Sequence, residues 1–265
     1  MTFIRIEENL WGAKIYRLFG VKLFIRGRTR KYLEAIRHAI ADPNGIGMLN
    51  LLMNNLGVPK KYRHLFYEMG EGDVCIDCGA NVGKFTDLVL HTGASVHLFE
   101  PNRMLVRSLR HKYGAMAKRV VISEAAVAAN AGEMTLYNSE DSKNDITATA
   151  AGSIISDYLA RKETEAKTVV GEKVRVVDLV AYIEGNFPSA AASPEAPPIY
   201  LLKIDIEGAE FGLLEKIIKE RVFNLCKHIV VETHQRMFPD GREKLARLRK
   251  LIAENNITNI SLDWL

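Results

Sequence analysis

From residue 73 onward, short apolar runs alternate with amphipathic stretches of helical length, and this alternation constrains the fold more than any other feature of the chain. DVCID precedes KFTDLVLHTG, SVHLFE precedes PNRMLVRSLRHKYG, and the strand-like runs RVVISEAAV and EMTLY follow. KVRVVDLVAYI passes from strand into a short helix, after which the pattern resumes as IYLLKID, EGAEFGLLEKIIKE, HIVVETH, GREKLARLRKLIAEN and NITNISLDWL. Strands joined by crossovers of this length pair in parallel, and a parallel sheet needs cover on both faces. The expected fold is therefore α/β: a Rossmann-like, mostly parallel sheet with helices on both faces. Pro101 near the start and Gly114 at the end bracket the second of these helices, as N- and C-terminal preferences require.

Residues 1–72 lack the alternation and read as an N-terminal helical region placed before a domain spanning 73–265. In TRKYLEAIRHAIAD, Leu33, Ile36 and Ile40 share a helical face and Pro43 stops the run; IGMLNLLMNNL and PKKYRHLFYEMG supply two further pieces. Charge divides along the same line, with 12 Lys/Arg against 6 Asp/Glu in residues 1–72 and 24 against 26 in the remainder. That excess could meet an anionic partner or a membrane surface, although a solvated helical face is the commoner origin of such a bias. Trp11, Tyr16, Phe19 and Phe24 could likewise form an interfacial helix, or pack on their own domain, as such stripes more often do. No apolar run reaches the roughly 18 residues of a membrane span, and the charged start lacks the apolar stretch of a signal peptide. The expected roles of the N-terminal region are a substrate lid or a contact in a homo-oligomer. Residues 139–152 and the Pro/Ala/Ser stretch 185–198 are expected to be surface loops.

Three cysteines form no even framework, which favours a reducing, cytoplasmic setting. Cys75 and Cys78 spell C-x-x-C, a redox or zinc spacing. On a strand, three steps separate them by about 10 Å on opposite faces, too far for a disulfide. They are expected to be core residues.

The loop DVCIDCGANVGKFT resembles a phosphate cradle at first sight. A nucleotide phosphate loop needs one more residue between its glycines and a hydroxyl directly after the lysine, where Phe85 stands. A dinucleotide turn needs glycines where Asn81 and Lys84 stand. Lys84 and Thr86 then read as first-turn residues facing solvent or loop. S-adenosylmethionine, which carries no phosphate, tolerates a less bare loop, and its ribose diol wants an acid at the tip of the second strand. Glu100 closes SVHLFE at that place, although it could instead merely cap the helix begun by Pro101.

D-C-G-A-N-V-G-K-F-T, F-E-P-N, L-L-K-I-D-I-E-G-A-E and I-V-V-E-T-H, in this order, resemble the FkbM-type class I methyltransferases. The match runs from about Asp73 to His234, with weaker echoes in G-S-I-I at 152–155 and V-V-D-L at 176–179. The resemblance implies S-adenosylmethionine as cofactor and methyl transfer, usually to a hydroxyl oxygen. It places Asp77, Gly79, Asn81 and Gly83 at the methionine end, Glu100 at the ribose, and Glu124 with Ala125 at the adenine. Two departures stand out: little chain follows NISLDWL for the terminal antiparallel strand pair usual in this class, and the N-terminal region lies outside the match.

Asp205 is expected at the carboxyl end of its strand, beside the cofactor. Glu207 and Glu210 would share a helix face if that helix began near Gly208, or Glu210 could simply offset the macrodipole. Glu232 and His234, two apart, point to one rim, and His234 could be the general base or a structural histidine. Asp205, Glu207, Glu232 and His234 could also surround a divalent ion; the reading adopted is catalysis by these four side chains without a metal. The expected acceptor is a hydroxyl on a small or saccharide-like molecule. Nucleic acid is disfavoured because the basic bias lies outside the catalytic half. An NAD-linked oxidoreductase and a non-catalytic cofactor-binding module are the competing readings.

Overall fold

The computed structural model describes residues 4–8, 14–18, 21–24, 42, 45–139, 169–187 and 197–264. The segment TRKYLEAIRHAIAD apart from Asp42, the G-S-I-I echo, and most of the two expected surface loops lie outside the described residues.

Three strands open the chain: β1 (Ile4–Glu8), β2 (Lys14–Leu18) and β3 (Val21–Phe24), paired antiparallel in that order. The expectation of helix over residues 1–72 therefore fails here. Only IRIE and VKL alternate apolar and charged residues with a period of two, and KIYRL does not, so pairing across the strands and not the local pattern decides the structure here. Helix holds further on, at α1 (Ile46–Leu56) and α2 (Arg63–Glu68).

The central sheet is built from β4 (Val74–Cys78), β5 (Ser95–Glu100), β6 (Val120–Glu124), β10 (Ile199–Ile204), β11 (Cys226–Val231) and β12 (Ile260–Ser261). Its order is β12-β11-β10-β4-β5-β6, and every neighbouring pair is parallel. Chain order reverses between β4 and β10, the switch point beyond which open α/β sheets hold their ligands. A smaller sheet of β7 (Ala126–Ala128), β8 (Gly132–Ser139) and β9 (Val169–Asp178) runs in the order β7-β9-β8.

Helices cover both faces. One face packs against α1, α2 and α3 (Lys84–Thr92), together with Leu109 and Tyr113 of α4 (Arg103–Tyr113). The other packs against α5 (Leu179–Asn186), α6 (Glu210–Lys219) and α7 (Gly241–Glu254). Every residue of β10 is buried, as its central position demands. Cys75 belongs to the first cluster and Cys78 to the second, on opposite faces of β4 as the strand pleat requires, and burial pushes both thiols well above their ordinary range. Trp264, wholly buried, closes the first face against Tyr62, Phe66 and Phe85, at ring separations of 5.5, 6.2 and 6.0 Å. Among the described residues no helix is long and apolar enough to cross a membrane.

Candidate active site

The tips of β4, β5, β10 and β11 bring the site together. After β4 the chain turns through Gly79, Asn81 and Gly83, with φ of 79°, 52° and 81°. The glycines are there for space as well as backbone. A Cβ on Gly79 would lie 1.9 Å from the Asp205 carbonyl oxygen, and one on Gly83 would lie 2.4 Å from the Tyr113 hydroxyl. That hydroxyl lies 2.8 Å from both the Gly83 carbonyl oxygen and an Asp87 carboxylate oxygen, which share its one proton, and so ties α4 to the turn.

Most amides of the turn are already used. The N–H groups of Gly79 and Ala80 donate to the Phe99 carbonyl at 3.0 Å, Gly83 to Ala80 at 2.8 Å, and Asn81 to a Glu100 carboxylate oxygen at 2.8 Å. Folded, the turn therefore offers shape and carbonyls more than donors.

Glu100 ends β5 with its carboxylate turned to the loop. It is 5% exposed, and its second oxygen accepts from the Asn102 N–H at 2.8 Å. Burial pushes its pKa up to about 7 against the two backbone hydrogen bonds, which hold it down. The Asn102 side chain, and not Glu100, caps α4, accepting from Met104 and Leu105 N–H. Glu124 and Ala125 fit the adenine expectation less directly. Arg103 and Arg110 of α4 hold the Glu124 carboxylate at 3.3 and 3.0 Å, and Ala125 is wholly buried with its N–H on the Glu100 carbonyl.

Asp77 does not reach the surface of the turn. It is fully buried, with one oxygen accepting from Thr86 at 2.8 Å and the other from Lys203 at 3.2 Å. Thr86, expected to face solvent or loop, instead points inward; Lys84 is the exposed one. Lys203 also donates to the Gly79 carbonyl at 3.0 Å and pairs with Asp205 at 3.2 Å, so one buried ammonium joins the glycine turn to the next carboxylates. Burial works against its charge, but Asp205 and Asp77 outweigh that and raise its pKa. Sequence reasoning assigned Lys203 no role. The signal was present, since a lysine inside the otherwise apolar run IYLLKI is costly unless paired.

The second half of the site surrounds His234. Its ring Nδ1 and backbone N–H lie 3.1 and 2.6 Å from one oxygen of Glu210, and Nε2 lies 3.5 Å from Glu207, 3.8 Å from Asp205 and 3.9 Å from Glu232. Glu210 is fully buried and also accepts from Gly208 N–H at 2.8 Å, which makes it the anchor of the histidine and not merely a first-turn acid. It opens α6, whereas Glu207 stands outside the helix in a turn with φ of 54°, followed by Gly208 at 111°. The shared helix face expected of Glu207 and Glu210 is thus replaced by a shared partner. Burial lowers the imidazole's proton affinity, but the hydrogen bond and charge of Glu210, then Glu207 and Asp205, reverse this and bring its pKa to about 9. Burial raises the carboxyls of Glu207 and Glu232 above their ordinary range. Asp205, Glu207 and His234 each present an atom within 4.8 Å of the others and could hold a metal ion. Such an ion would have to displace the imidazole's Nε2 proton.

A parallel sheet in the order found, a glycine turn at the first strand's tip, an acid at the second and a carboxylate cluster at the next two define a Rossmann-like α/β domain with its candidate site at the switch point. The profile of the methyltransferase FkbM domain matches residues 77–257, and the chain belongs to that family. No curated protein matches it. Among solved structures it is similar to a methyltransferase FkbM from Methylobacillus flagellatus KT, at 13% identity and a TM-score of 0.40, over 84% of this chain and 52% of that one. It thus spans about half the length of that protein. It is also similar to a putative RNA methyltransferase from Pyrococcus horikoshii (13% identity, TM-score 0.30, 81% of this chain and 67% of that one) and to PRMT6 (12%, 0.30, 72% and 40%).

Proposed function

We propose that the chain is an S-adenosylmethionine-dependent methyltransferase acting on a hydroxyl oxygen of a small or saccharide-like acceptor. One observation carries the cofactor half of this reading: Glu100 is buried, turned to the glycine turn, and held among the described residues by one N–H on each oxygen. Each carboxylate oxygen has lone pairs for two donors, so a ribose diol can complete the set. Asp205, a quarter exposed beside the turn, suits an ammonium group, and the turn's carbonyls can share it.

The bound sulfonium supplies an activated methyl group; the protein's work is alignment, exclusion of water and acceptance of a proton. His234 is an imidazolium at neutral pH and therefore cannot take that proton. We assign proton acceptance to Glu207 or Glu232, whose burial-raised proton affinity brings them nearer the operating pH. Asp205 is less suited, because one of its oxygens is already paired with the Lys203 ammonium at 3.2 Å. His234 organises the carboxylates and offsets their mutual repulsion.

Calorimetry with S-adenosylmethionine and S-adenosylhomocysteine tests the proposal. The diol binds the ionised Glu100, so affinity is expected to be nearly constant above pH 7 and to fall about tenfold per pH unit well below it. Glu100→Ala should weaken binding and remove this dependence, whereas Glu207→Gln should leave binding intact. Absence of binding at millimolar cofactor would end the reading.

A further inference from the structure

A second cleft opens at the edge of the sheet, where β12 meets α2 and α7. Its volume is about 550 Å³, within the range of small-molecule sites. It is lined by Lys61, His64, His228, Arg249, Ser261 and Asp263, and none of its residues belongs to the candidate active site.

The charge in this cleft is one-sided. Its single carboxylate, Asp263, is already occupied by the Lys61 ammonium and the Tyr62 hydroxyl. Arg249 acts on Asp263 through its charge alone, and neither it nor His64 forms a hydrogen bond or close ion pair among the described residues. Behind them, the Nε2 of His228 is buried and has no hydrogen-bond partner, while the ring rests edge-on against Tyr200 at 5.4 Å. A buried imidazole nitrogen without a partner costs free energy that a ligand can recover. Burial, then the charges of Lys227 and His64, lower the proton affinity of His228, with Glu68 opposing them. Ile229, Ile252 and Leu262 add an apolar floor.

We infer that this cleft is a binding site for a small oxyanion-bearing metabolite, its phosphate or carboxylate group held by Arg249, His64 and His228 and its body resting on Ile252 and Leu262. An anion there fills the donor set that the protein itself leaves open, and the volume admits a molecule of sugar-phosphate size. The proposal does not depend on the cofactor reading.

Calorimetry on the full chain with inorganic phosphate, ribose 5-phosphate and citrate provides the test. At least one is expected to bind with a Kd of about 1 mM or tighter, and Arg249→Gln and His228→Gln should each weaken it about fivefold or more. Binding of ribose 5-phosphate alone would identify a phosphate site, and of citrate alone a carboxylate site. Arg249 is exposed, so Arg249→Gln should keep the wild-type melting temperature and remains informative if His228→Gln unfolds. No binding of any probe at about 10 mM, or binding indifferent to Arg249→Gln, would overturn the inference.

Discussion

At neutral pH His234 carries a positive charge, because the carboxylates around it outweigh the burial that would strip its proton. Its pKa in the folded protein, about 9, lies above the unfolded value of 6.5. The stability it contributes is therefore fully present below about pH 6.5 and is lost as the pH rises through 9. Thermal melts of the wild type and His234→Gln should differ most below neutrality and converge above pH 9. An imidazole whose NMR titration falls below pH 7 would remove the argument, and with it the case against His234 as base. The sequence placed Asp205, Glu207, Glu232 and His234 in one neighbourhood, because strand-end positions follow from the period-two pattern. It did not reveal protonation, which depends on Glu210 being sealed beneath the ring. Thr86 was equally hidden, since nothing in KFT says which first-turn side chain will meet a buried acid.

The β4–α3 turn is the element on which the site depends, and its tolerance to substitution is narrow. Gly79→Ala combines a positive φ with a Cβ 1.9 Å from the Asp205 carbonyl oxygen, so either β4 or β10 must shift. The expected loss of stability is about 2–5 kcal/mol, measured by urea unfolding, with cofactor binding lost even where the fold survives. Elements in the second half of the chain were legible because strands and helices alternate with little competing pattern. The first 24 residues were not, since pieces as short as IRIEE and KIYRL do not fix a period, and aromatic residues at irregular spacing favoured the helical reading. Strand pairing resolves that ambiguity only through contacts across the chain.

On the scale of the whole molecule, two apolar layers meet through one sheet, and the last residues lock one of them. Trp264 fills the space between α2, α3 and the sheet, and its backbone N–H donates to the Val231 carbonyl at 3.2 Å. Trp264→Ala should cost about 3–5 kcal/mol and lower the melting temperature by roughly 10 °C in calorimetric scans; a shift below about 2 °C would show that the layer closes without it. Lys203 links the two halves of the site at this scale as well. Any cation lodged against Asp205 must share that carboxylate with Lys203, whose other holds are Asp77 and the Gly79 carbonyl. The ammonium then leans toward the turn, so an arrival on one side is transmitted as a tug on the other. The glycine turn and the Asp205 carboxylate thus sit on opposite arms of a single see-saw, with a buried lysine for its pivot.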